Sequence, residues 1–500
     1  MKITVKTGKL VNIKTPFFIV FLYQETINIS GWLKDLDSLI KKRLTEVYKS
    51  RDFKGELNET LMIYSPENSD IKRVLLVGMG KKKEFNAEKA RQVFGTAAKY
   101  AEKKRIRKIT FNITALEDSE ISKREIGRAV GEGVNLSLYK FTKFKTEDKK
   151  PDIHVNSVVI HDVTRAGSES LKEGIAEGDI VSRGVCYTRD LASNPPNVVT
   201  PSYLADEAVK IGKENKLKCT VLNRKKLEEL KMNALLGVGK GSHQPPVMAV
   251  LEYNCGNKDA ETVAIVGKGI TFDSGGISLK PGKKMEEMKM DMSGAAAVLG
   301  TMKIISELKP KVNVVGVIAA AENLPGGSAL KPSDILTAYS GLTIEVINTD
   351  AEGRLILADA LAYTVDRYKP DALMDIATLT GAVVIALGHY ATGMLGNNPP
   401  LIKKVAGAAE RSGDKVWELP IYPEYDEHIK SKYADIKNSN GPGGGTIFGA
   451  CFLKKFVGKT PWVHLDIAGT AWDVKEKSYL PEGPTGVGVR LFSQLLLEWK

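Results

Sequence analysis

The sequence predicts a two-domain α/β protein: a smaller basic N-terminal α/β domain, then a larger C-terminal α/β domain with a mixed, mostly parallel central sheet. Three observations carry this. The chain has 500 residues, more than one hydrophobic core usually organises. Short apolar runs that read as buried strands alternate with longer helix-patterned runs. The charge is also split: residues 1–165 hold 33 Lys+Arg against 21 Asp+Glu, and the remainder hold 39 against 39, so the whole excess of +12 lies in the N-terminal part.

The elements follow in order. Thr15 to Tyr23 is apolar but too short to span a bilayer and lacks a small-residue cleavage site, so it reads as a strand. Val74 to Val77 is a strand, Ala87 to Lys104 a helix, Lys108 to Ile113 a strand, Arg124 to Lys140 a helix and Ser157 to Ile160 a strand. Gly78-Met-Gly80 lacks the third glycine and acidic partner of a dinucleotide site and reads as a plain βα turn. Thr146 to Asp152 is loop-like. From Ser168 to Leu191, the spacing of Leu171, Ile175, Ile180, Val181 and Val185 predicts an amphipathic linking helix. The division is therefore 1–165, a linking helix over 166–190, and 191–500. In the last part, Thr262 to Val266, Val312 to Ala321, Leu342 to Ile347, Ala372 to Ile376 and Val463 to Ile467 read as buried strands. Ala295 to Leu308 and Leu355 to Tyr368 read as helices, and Gly441 to Thr446 as a turn or a ligand-covering loop.

Composition excludes several classes. At 43% hydrophobic and 26% charged, with no apolar stretch of membrane-spanning length, the chain reads as soluble, with no membrane partner. Cys186, Cys219, Cys255 and Cys451 form no Cys-x-x-Cys pair, which fits a reducing cytoplasm without structural disulfides. The basic runs Lys81 to Lys83, Lys103 to Lys108 and Lys143 to Lys150 suit either a solvated surface or DNA contact. They lack the aromatic interleaving of single-strand binders, and no helix-turn-helix pattern accompanies them.

Two segments carry chemistry. Asn348-Thr-Asp-Ala-Glu-Gly-Arg-Leu355 follows an apolar run, and in an extended strand Asp350, Glu352 and Arg354 would share one face. Carboxylates that close repel each other unless a cation sits between them, and oxygen ligands suit Zn, Mn or Mg. The second segment, Val266-Gly-Lys-Gly-Ile-Thr-Phe-Asp-Ser-Gly-Gly-Ile-Ser-Leu-Lys280, places Lys268, Asp273 and Lys280 on a glycine-rich stretch at a strand's end, where open α/β sheets build their sites. Asp291 follows. The nucleotide-binding pattern Gly-x-x-x-x-Gly-Lys-Ser/Thr is absent. The carboxylates alone do not name the bond cleaved, so a phosphate-handling two-metal hydrolase stays open.

These two segments resemble the leucyl (cytosol) aminopeptidases, two-metal exopeptidases whose signature octapeptide is unbroken at Asn348 to Leu355. The likeness runs from about Arg189 to Gly469 and makes 191–500 the catalytic peptidase domain. It implies one metal on Asp273, Asp350 and Glu352, and another on Lys268, Asp273, Asp291 and Glu352, the ions being Mn or Zn. It also implies that Lys280 donates to the developing gem-diolate and that Arg354 holds a proton-shuttling bicarbonate. Met288, Thr378, Gly381 and Ala450 would line the pocket for the N-terminal residue. The expected activity is release of N-terminal amino acids, preferentially leucine, from peptides with a free N-terminus, by a cytoplasmic homohexamer. The rival reading is a nucleic-acid-binding regulator on a peptidase scaffold. None of the six histidines lies within the motifs.

Overall fold

The structure is a computed structural model and describes residues 1–26, 29–147, 154–162, 167–441, 443–474 and 477–499. The chain divides into two compact units, Met1–Ser182 with Lys475–Pro481, and Arg183–Val474 with Glu482–Lys500. The division falls inside the helix Ser168–Ser193, which the apolar spacing places at 168–191.

In the first unit, β1 (Lys2–Thr7), β2 (Phe18–Leu22), β3 (Thr60–Tyr64), β4 (Arg73–Gly78), β5 (Lys108–Asn112) and β6 (Ser157–Asp162) form one sheet in the order β1-β6-β5-β2-β4-β3. All neighbours are parallel except β3, which runs against β4. Strand β2 is buried along its whole length, which is why it reads as a continuous apolar run instead of an alternating one. The helix Ala87–Lys103 starts where the Asn86 side chain accepts from Lys89 N, and Lys123–Ser137 starts with a reciprocal Ser122–Glu125 capping box, each cap contributing about 1 kcal/mol. The second helix stops three residues short of the expected Lys140. Of the basic runs, Lys82 and Lys83 sit on a short 3-10 turn, and Lys81 and Lys89 both pair with Glu84. Residues 148–150 of the third run, and most of the loop expected over 146–152, lie outside the described residues.

The second unit contains β7 (Lys218–Leu222), β8 (Val247–Tyr253), β9 (Thr262–Asp273), β10 (Asn313–Asn323), β11 (Ile335–Thr337), β12 (Thr343–Glu345), β13 (Ala372–Ala377), β14 (Thr392–Gly396), β15 (Val416–Glu418), β16 (Ile436–Lys437) and β17 (Trp462–Asp466). Its main sheet has the order β15-β14-β17-β13-β9-β10-β8-β7, and β11-β12-β16 form a small second sheet. The centre, β17-β13-β9-β10, is parallel, while β14, β8 and β7 pair antiparallel at the flanks. The mixed, mostly parallel α/β architecture is as expected.

Two local expectations change. Strand β9 does not end at Val266 but continues through the glycines to Asp273, so Lys268 lies in its interior. The glycines are there for close packing: a Cβ at Gly267 would fall 2.6 Å from the Gly294 carbonyl oxygen, and one at Gly269 2.7 Å from that of Ala319. Only Gly275 and Gly276, at φ +87° and +68°, turn the chain. Also, Asp350, Glu352 and Arg354 do not lie on an extended strand. β12 ends at Glu345, Asp350 sits in a turn, and the helix Glu352–Tyr368 begins with the glutamate. The apolar run that follows Arg354 is long enough to hold a helix, and it draws the last two charges of the octapeptide into its first turn.

Candidate active site

The site lies at the carboxyl end of β9, on the parallel part of the sheet. Lys268 projects from the strand, Asp273 ends it, and the turn after it carries Lys280. Helix Glu352–Tyr368 contributes Glu352 and Arg354, and the 3-10 turn Met285–Met290 leads into Asp291. Thr349 stitches the two sequence motifs together. Its hydroxyl donates to Gly275 O at 2.6 Å and accepts from Ser278 N at 2.8 Å.

Lys268 is buried, with Nζ 2.8 Å from Asp291 Oδ2, 2.8 Å from Glu352 Oε1 and 2.8 Å from the Thr378 carbonyl oxygen. Lys280 Nζ lies 2.8 Å from Asp273 Oδ2 and 2.5 Å from Asp350 Oδ1. Asp273 Oδ1 accepts from Gly275 N at 2.9 Å and Asn323 Nδ2 at 2.8 Å, and Asp291 Oδ1 accepts from the Thr378 hydroxyl at 2.7 Å. Ligand atoms of Asp273, Asp350 and Glu352 all lie within 4.8 Å of one another.

The electrostatics are unbalanced. Four carboxylates face two ammoniums, a deficit of two positive charges. Burial, then the charge of Asp273, pushes Glu352 and Asp350 above the usual carboxylate range; burial also raises Asp291. Burial pulls Lys268 and Lys280 down, but the surrounding carboxylates outweigh it and hold both ammoniums above their ordinary values. Asp291 Oδ2, Asp350 Oδ1 and Glu352 Oε1 are buried, and each has a single ammonium, 2.5–2.8 Å away, beside it. Such oxygens, in such a charge deficit, fit divalent cations.

Arg354 is buried, with Nη1 donating to Asn438 O at 2.8 Å and Nε buried without a hydrogen-bond partner; burial pushes its pKa down to about 10. An oxyanion fits that free donor.

A pocket of about 390 Å³ opens over these groups. Of the expected wall residues, Met288, Thr378 and Gly381 line it. Ala450 is fully buried in the helix Gly445–Lys454 and does not line it. Gly445, within the glycine-rich stretch, and Ser439, just before it, do line the pocket; Pro442 lies outside the described residues. Sequence reasoning missed Asn323, Thr349, Asn438 and Asp466. Asp466, fully buried, accepts from Leu379 N at 3.1 Å and the Thr380 hydroxyl at 2.6 Å, shaping the segment that walls the pocket. The available signal was a polar residue closing an apolar strand, as Asn323 closes β10 and Asp466 closes β17. Of the histidines, His464 is buried against Asp375, Nδ1 to Oδ1 at 2.6 Å.

Residues 186–493 match the catalytic domain of the cytosol aminopeptidase family, and residues 19–148 its N-terminal domain. A probable cytosol aminopeptidase of Geotalea uraniireducens is 48% identical over 465 residues, covering 92% of each chain. One from Alkaliphilus oremlandii is 40% identical over 496 residues, 99% of each. Among solved structures, the bottromycin maturation enzyme BotP in complex with Mn superposes with a TM-score of 0.84 at 30% identity, over 96% of this chain and 99% of that one.

Proposed function

The chain belongs to the cytosol aminopeptidase family and is a metal-dependent aminopeptidase, and on that premise we propose that it releases N-terminal residues, leucine preferentially, from short peptides and amino-acid amides with two divalent ions in its site. The observation that carries this is the acid cluster: three carboxylates with ligand atoms within 4.8 Å, in a site two positive charges short.

One ion would take Asp273, Asp350 and Glu352, and the other Lys268, Asp273, Asp291 and Glu352. When bound, such ions, manganese or zinc, acidify a water and polarise the scissile carbonyl. The protein's own groups do the rest. Lys280, anchored between Asp273 and Asp350, donates to the carbonyl oxygen as it gains charge. Lys268 serves as a ligand only when neutral; its burial favours that form, and neighbouring cations would favour it further. Arg354 offers its unpartnered Nε to bicarbonate, an anion able to carry a proton where no histidine reaches. Met288, Thr378 and Gly381 face the N-terminal side chain; Ala450, buried and outside the pocket lining, does not. The working form is a cytoplasmic homohexamer of two stacked trimers with its sites facing an interior cavity; light scattering should give six times the 54.6 kDa chain mass. No helix among the described residues is long and apolar enough to cross a membrane.

The test is leucinamide hydrolysis by chelator-stripped protein titrated with manganese or zinc, beside Asp350→Ala and an N-acetylated substrate. Activity restored by metal, and absent from the variant and on the blocked amine, supports the proposal. Folded, metal-loaded protein that cleaves no free-amine substrate ends it.

A further inference from the structure

Beside its charged groups the pocket has apolar lining: Met288, Leu379, Ala382, Val384, Ala468 and Trp472. Trp472 is the one aromatic residue among the described residues that line it. Its indole Nε1 donates to Glu287 Oε2 at 3.1 Å, and the other oxygen of Glu287 holds Lys284 Nζ at 2.9 Å. This hydrogen bond ties the indole to the same 3-10 turn that carries Met288, and Met288 and Trp472 both line the pocket. The backbone is pinned as well, by a single bridge from Trp472 to Pro484 and by Asp473 N donating to Gly483 O at 3.1 Å. Trp462 shows what a purely structural indole does here: it is fully buried, with Nε1 donating to Asp375 Oδ2 at 2.7 Å. Trp472 is only half-buried and lines the cavity.

We infer that Trp472 is a specificity-determining residue: its indole, latched by Glu287, forms the wall against which the substrate's N-terminal side chain packs, favouring long aliphatic and aromatic N-terminal residues over glycine and alanine. This rests on the aminopeptidase reading and deepens it. A rigid flat ring beside an adaptable thioether suits an extended or aromatic side chain and offers little to a hydrogen or a methyl group.

The experiment compares kcat/KM for glycinamide, alaninamide, leucinamide and phenylalaninamide in wild-type enzyme, Trp472→Ala and Glu287→Gln, with manganese present. Trp417→Ala, at an exposed indole on β15, is the control. Trp472→Ala should lower the leucine-to-glycine and phenylalanine-to-glycine ratios about tenfold, chiefly through KM. Glu287→Gln, which keeps the ring, should lower them about threefold, and Trp417→Ala should leave them alone. The inhibition constant of free leucine should rise in parallel with KM. A uniform fall across all four amides, or unchanged ratios, overturns the inference. Wild-type enzyme inactive on every amide sinks the peptidase reading and this one with it; an active enzyme with unchanged ratios sinks only the role of Trp472.

Discussion

Replacing Gly353 by alanine tests whether the position of Lys268 matters to the chemistry. Gly353 is the second residue of the helix Glu352–Tyr368, and a Cβ there would lie 2.6 Å from Lys268 Cε, 2.7 Å from Nζ and 2.8 Å from Cδ. Ordinary contact begins near 3.4 Å, so the lysine must retreat by about 0.6–0.8 Å. It has nowhere to go without loss, because Nζ is held at 2.8 Å by Asp291, Glu352 and the Thr378 carbonyl at once. Misplacement on the order of 1 Å in a catalytic constellation costs roughly 100-fold, equivalent to about 2.7 kcal/mol of barrier. Helix propensity acts the other way on stability, since Gly→Ala favours a helix by up to about 1 kcal/mol. The expected result is therefore a folded protein with Tm changed by only a few degrees and kcat/KM for leucinamide down about 100-fold at saturating manganese. Gly407→Ala is the matched control. It too lies in a helix, Pro399–Ser412, but its Cβ would meet only the flexible end of Arg411, at 3.4 Å. Full activity in Gly353→Ala would refute the claim that Lys268 is locked in place.

Three further outcomes follow from single contacts. Lys280→Met should lower kcat about 100- to 1000-fold with little change in KM, read from initial rates, because the donation matters most where charge develops. Glu132→Gln should cost roughly 3 kcal/mol and several degrees of Tm without altering the site, since Glu132 is fully buried between Arg91 Nε at 2.5 Å and Arg128 Nε at 2.7 Å; an unchanged melting curve would contradict it. Asp359 is fully buried and accepts from Leu235 N at 2.9 Å and Tyr339 N at 2.7 Å, yet burial pushes it up to about 7 from an ordinary 3.8. The folded value lies above the unfolded one, so its stabilising contribution is full below about pH 4 and is lost as pH rises through about 7. The Tm deficit of Asp359→Asn against the parent should therefore shrink between about pH 5 and pH 8, and a constant deficit would show that Asp359 stays ionised.

What the chain alone determined is its local chemistry. The apolar runs foretold β4, β5, β6, β10, β13 and β17, because burial on both faces of a parallel strand leaves no room for polar residues. The helical spacing foretold the helices Ala87–Lys103, Lys123–Ser137, Ser168–Ser193, Ser293–Leu308 and Glu352–Tyr368 but not those between β13 and β17. The acid-rich octapeptide and the glycine-rich segment foretold a cation site, because carboxylates at such density need positive charge whatever the fold around them. Tertiary structure decided the rest. It turned the supposed extended face of Asp350, Glu352 and Arg354 into a turn and a helix start, and it carried β9 past its glycines to Asp273. It brought Asn323, Asn438, Asp466 and Trp472 to the site from strands and loops far apart in the chain. No periodicity marks such residues. Their roles exist only where one segment offers a backbone or side-chain group to the side chain of another, and that meeting is a property of packing and not of spacing.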